Sequence, residues 1–214
     1  HILLAARPVR AKLVAVLGEK GFQGLYSLIS LALFGGAIWI YRDLPPEIIW
    51  VAPHWAWLPS SALMLAASIL FAGSLTPANK ALAGVPVTAA GPSGVMRITR
   101  HPMMWGFALW AVAHVMVMPT EAQIILSGTI VFLALFGSAG QDAKKARLMG
   151  DSWRHWAART SFIPFARQIS GATPWGDTIP RPHALFGGIV LWLVATWGHG
   201  ALGYMVAGIW RWVG

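Results

Sequence analysis

The chain lacks cysteine and is poor in charge. No Cys occurs among the 214 residues, which excludes disulfides, thiolate metal ligands and thiol catalysis. Asp, Glu, Lys and Arg make up only 11% of the sequence, well under the roughly 25% of soluble domains. Acidic residues are scarcest, at 7 against 16 Lys and Arg. What replaces the missing charge is apolar: 57% of residues are hydrophobic and 13 are Trp. Gathered into several long runs, these residues mark an integral membrane protein. The net charge of +9 raises nucleic acid as a partner, but the cations fall in loops between apolar runs, which points to the bilayer instead. There is no internal repeat and no low-complexity tract.

Five full spans are expected, at about 22–41, 55–74, 103–119, 122–140 and 184–210, within an all-α polytopic bundle. Residues 1–6 (H-I-L-L-A-A) read as the tail of an earlier, sixth span. Residues 1–214 form one membrane domain in this reading, with a polar segment at about 141–183. Pro119, Thr120 and Glu121 predict a tight hairpin between the third and fourth spans. Alternate loops, 7–21, 75–102 and 141–183, carry fourteen of the sixteen Lys and Arg, leaving Arg42 and Arg211 for the other side. The positive-inside rule then puts the basic loops in the cytoplasm. The segment Q-D-A-K-K-A-R-L-M-G-D-S-W-R-H-W-A-A-R (141–159) is expected to extend the fourth of these spans and continue as a surface helix, with basic residues against Leu148, Trp153 and Trp156. Gly187 and Gly188 permit close helix packing.

The stretch R-I-T-R-H-P-M-M-W-G-F-A-L-W-A-V-A-H (Arg97–His114) carries most of the chemistry. Pro102 is tolerated in a first helical turn, so His101 is expected near the N-cap. The positive end of the helix dipole favours a neutral imidazole there, which is the metal-binding form. Ionisable groups within a membrane are costly and point to function. Depth sorts the histidines. His1 and His101 lie toward the inner side, whereas His114 and His199 lie about 20 Å further along their spans at ~1.5 Å per residue. One haem therefore takes His1 with His101, or His114 with His199; two imidazoles inside a bundle suit a b-type haem iron. Arg97 and Arg100 are expected to pair with haem propionates. The alternative for each His is a hydrogen bond to its neighbours, and this is the expectation for His54, His155 and His183. Trp105 and Trp110 line a pocket or pack.

Arg97–His114, R-x-K-L-V-A-x-L-G-E-K-G-F (Arg10–Phe22) and W-x-x-x-A-A-R-T-S-F-I-P-F-A (Trp153–Ala166) resemble the NnrU family of bacterial membrane proteins over nearly the whole chain. The same segments are similar to the 15-cis-zeta-carotene isomerases of plants and cyanobacteria. The resemblance implies a bacterial inner-membrane protein linked to denitrification and nitric oxide metabolism. It also implies haem b held by two His, as in the isomerases, with redox chemistry of their kind. The upstream ligand falls nearest His1 and the downstream one at His101 or His114; depth favours His101. The isomerases have Cys near their site, and this chain has none. R-H-P-M…G also resembles the methyltransferases that modify isoprenylcysteine or phospholipid. That reading gives S-adenosylmethionine to Arg100, His101 and Asp142, although Met104 and Gln141-Asp142 replace their Tyr and carboxylate pair. A third reading is a non-catalytic accessory or assembly subunit bound to other membrane proteins.

Overall fold

The computed structural model describes residues 7–76, 79–81 and 91–213. They fall into two compact units, divided after Glu47. Among the described residues the named elements are all helical.

The first unit is built on one long helix, α1 (Arg7–Asp43). Residues 7–21, expected to form a loop, are helical. Ala11, Leu13, Ala15 and Leu17 favour helix, and Pro8 sits in the first turn, where its missing N–H costs nothing. The interruption comes at Gly18, whose φ of 70° and ψ of 168° break the ladder into two pieces. Glycine adopts this conformation without a Cβ clash.

The second unit holds the site. After a 3-10 turn (His54–Ala56) comes α2 (Trp57–Ser74), then a short α3 (Val95–Ile98), α4 (Pro102–Val117) and α5 (Glu121–Met149). A short α6 (Asp151–Ala157) and α7 (Ala166–Ile169) follow, then α8 (Pro182–Ala201) and a terminal turn of helix, α9 (Trp210–Val213). Helix α2 lies between α4 and α8, and α5 packs on the other side of α4. Small residues permit the close crossing of α2 and α8: a Cβ added at Gly188 would lie 2.6 Å from the Ile69 Cα. Four helices are long and apolar enough to cross a membrane: α1, His54–Ser74, α5 and α8; α4 is a shorter apolar helix. This chain is a helical membrane protein.

The expected hairpin between α4 and α5 is present. Thr120 caps α5 by accepting from the Gln123 backbone N–H at 3.1 Å, which satisfies one of the orphan donors of a helix start. The last span, drawn to residue 210, is shorter in the structure. It ends at Ala201, and the chain turns back so that Trp210 Nε1 donates to Thr196 Oγ1 at 3.1 Å and Leu193 O at 3.3 Å. Apolar composition continues through this return and conceals the break. Helix α5 extends to Met149, beyond its apolar run, and α6 starts after Gly150. Trp153 and Trp156 are buried there with Met96 and Ala81, whereas Leu148 faces outward instead of joining them.

Candidate functional site

His101 lies where Pro102 predicts, at the N-cap of α4. It is buried, and its Nε2 meets Asp142 Oδ1 at 2.7 Å. Arg100, one residue earlier, reaches the other carboxylate oxygen, with Nε and Nη2 each 2.6 Å from Asp142 Oδ2. Asp142 lies past the apolar run of α5, in its charged last turns. The Phe162 ring meets His101 edge-on at 5.4 Å and lies 5.5 Å from the Arg100 guanidinium.

A second segment completes this cluster. The loop after α6 runs alongside the Arg97–His101 stretch and takes over its free backbone groups. Arg100 N–H donates to Ser161 O at 2.8 Å, and Phe165 N–H donates to Ile98 O at 2.9 Å. The Thr99 hydroxyl donates to Phe162 O at 2.7 Å, Trp105 Nε1 to the same carbonyl at 2.9 Å, and Gln168 Nε2 to Arg97 O at 3.1 Å. Thr99 is fully buried. The two segments noted separately for their family resemblance are thus one structure, held by backbone groups that would otherwise be orphaned.

Of the polar groups marked from sequence, the cluster engages Arg100 and His101. Arg97 donates to Pro92 O at 2.9 Å and lies 3.8 Å from Asp177. Arg97 and Arg100 therefore have protein partners where haem propionates were expected. Arg100, His101 and Asp142, the trio expected to hold S-adenosylmethionine, do meet, but they satisfy one another. His1 lies outside the described residues.

The other histidine pair meets near the opposite ends of α4 and α8. The ring centroids of His114 and His199 are 6.2 Å apart, and both residues are half-buried. Each has the same internal bond: His114 Nδ1 donates to Trp110 O and His199 Nδ1 to Ala195 O, both at 2.8 Å. A carbonyl only accepts, so each Nδ1 carries its proton, and a ring in that tautomer holds its lone pair on Nε2. Trp110 stacks on His114 with centroids 4.0 Å apart. Tyr204, in the return after α8, meets His199 edge-on at 6.5 Å. Sequence depth placed the two histidines at one level; Tyr204 was missed because the return was read as helix. Among the described residues no group of three or more His, Asp or Glu is placed to hold a metal ion.

Two imidazoles so placed, each with Nδ1 tied to its own helix, would serve as nitrogen ligands to an iron-centred group. The fixed Nδ1 tautomers match the way metal-bound histidines are oriented by backbone carbonyls. The residues present therefore fit a bis-imidazole group.

Comparison with known proteins places these features in a family. The chain is 28% identical over 184 residues to the chloroplastic 15-cis-zeta-carotene isomerase of Arabidopsis thaliana, covering 79% of this chain and 47% of that protein. It is 24% identical over 171 residues to the isomerase of the same name from Zea mays, covering 73% and 44%. The chain thus spans about half the length of these curated relatives. No solved structure matches. The NnrU protein family model matches residues 1–207, the stretch that includes both docked segments, His114 and His199, and the chain belongs to that family.

Proposed function

We propose that this NnrU-family membrane protein binds haem b through His114 and His199. The observation that carries the reading is the imidazole pair itself. The two rings, one on α4 and one on α8, stand 6.2 Å apart, each with Nδ1 tied to its own helix and Nε2 left for a metal. Haem held there supplies one-electron redox chemistry. The chain's own residues orient the imidazoles, stack Trp110 against one of them and set Tyr204 beside the other. The names of the curated relatives point to a carotene, an apolar substrate that reaches such a site through the bilayer. Nitric oxide, the other substrate class of this reading, also partitions into lipid. The bacterial inner membrane, with the basic loops in the cytoplasm, is the location that fits the charge pattern. The alternative pair asks more of the protein, because His101 Nε2 would have to leave Asp142.

The test is an absorption spectrum of the full-length protein in detergent, before and after dithionite. The expected result is a Soret band, with visible bands that sharpen on reduction. His114→Ala and His199→Ala lower haem content or shift the bands, while His101→Ala leaves them in place. A protein that carries no haem, and takes none up on titration, overturns the reading. Bands that survive in both H114A and H199A but vanish in H101A move the ligand to the other end of α4.

A further inference from the structure

At the basic end of the second unit, a cavity of about 280 Å³ lies between the turn at Lys80 and helix α6. Its volume is at the small end for ligand sites, which run from ~300 Å³ upward. Three cationic or proton-donating side chains line it: Lys80, His155 and Arg159, with the Ser152 hydroxyl beside them and Trp156 as an apolar wall. Lys80 is only 7% exposed. None of the carboxylates among the described residues pairs with Lys80 or Arg159. A lysine this buried without a counter-charge is costly, and the cost falls when an anion joins it.

The turn that carries Lys80 is built to hold it in place. Asn79 Oδ1 accepts from Ala81 N–H, and Asn79 Nδ2 donates to Ser74 O, both at 3.1 Å. Lys145 of α5 donates to the Lys80 carbonyl. The opposite wall also accommodates its cation: a Cβ on Gly91 would lie 2.9 Å from Arg159 Nη2. The one acid on the lining, Asp151, is exposed and already paired with Arg154. Its charge is thus largely spent outside the cavity.

We infer that this cavity binds a phosphate-bearing ligand, with Lys80 and Arg159 as its charge partners and Ser152 and His155 as further donors. Phosphate chemistry suits the donor set: a planar guanidinium and an ammonium on facing walls, with hydroxyl and imidazole donors between. The cavity is lined from α6, which follows the charged last turns of α5. A lipid headgroup and a soluble phosphate both present the same group to such a donor set. The inference uses none of the residues proposed to hold haem and stands or falls separately from that reading.

Two arms of one experiment distinguish the sources, both with the full-length protein in detergent. In the first, native mass spectrometry follows retention of added phosphatidylglycerol against phosphatidylcholine. In the second, Trp fluorescence follows titration with inorganic phosphate and with pyrophosphate. Saturable binding is expected in at least one arm. It weakens about tenfold or more in Arg159→Gln and Lys80→Met, is unchanged in Arg147→Gln on an exposed face of α5, and tightens in Asp151→Asn. Selective lipid retention assigns a headgroup, and a phosphate titration alone assigns a soluble ligand. Because Arg159 is exposed, R159Q is expected to fold even if K80M does not, and it then carries the comparison. No binding in either arm, or binding that survives R159Q, overturns the inference; so does weakening in D151N, which would indicate a cation.

Discussion

Replacing Asp142 with Asn is the most direct perturbation of the cluster at the start of α4. The change keeps the side-chain shape and removes one negative charge. In the wild type that carboxylate accepts from two Arg100 nitrogens and faces His101 Nε2, at 2.6–2.7 Å. Its side chain is 18% exposed, as is that of Arg100, and that of His101 is 4% exposed. A hydrogen bond to a charged group contributes about 1.5–3 kcal/mol, and removing one partner of a fully buried pair costs about 3–5 kcal/mol. Asn retains one acceptor, but its NH2 must face either a guanidinium or an imidazole. Water reaches the site in part, so a loss of about 2–3 kcal/mol is expected. At roughly 2–4 °C per kcal/mol for a chain of this size, thermal unfolding in detergent moves down by about 4–12 °C. Asp142→Asn combined with His101→Ala then costs less than the sum of the single changes, because both remove the same bond. A shift within 0.5 kcal/mol of wild type, or strict additivity in that cycle, refutes the idea that Asp142 braces the Arg97–His101 stretch.

Two further outcomes test the packing around the same stretch. Thr99→Val keeps the volume but removes the hydroxyl that donates to Phe162 O at 2.7 Å. A loss of about 1–2 kcal/mol is expected, and limited proteolysis reads it as faster cleavage in the loop between α6 and α7. Gly188→Ala sets a Cβ 2.6 Å from the Ile69 backbone, where no flexible side chain can give way. Overpacking of this kind costs about 1–3 kcal/mol; thermal unfolding shows the drop, while Gly176→Ala, with nothing within 4 Å of the added Cβ, shows little.

Composition alone determined that this is a helical membrane protein, because so little charge and so much apolar length leave helices as the way to satisfy the backbone. Local chemistry also determined the start of α4: Pro102 is compatible with a first turn, and His101 before it becomes the N-cap. The hairpin at Thr120 was legible for the same reason, since a capping hydroxyl acts over three residues. The helical extension at 7–21 was not, because its charges suggested a loop although nothing in it breaks a helix before Gly18. Nor was the return after Ala201, where apolar residues continue through a turn. Only the tertiary structure decided which polar groups meet. Asp142 reaches His101 across 41 residues of sequence and Thr99 reaches Phe162 across 63. Hydrophobic periodicity specifies which face a residue occupies on its own helix, and depth specifies its level. Neither specifies which helix stands beside it, and that choice brought His114 to His199 and left His101 with Asp142.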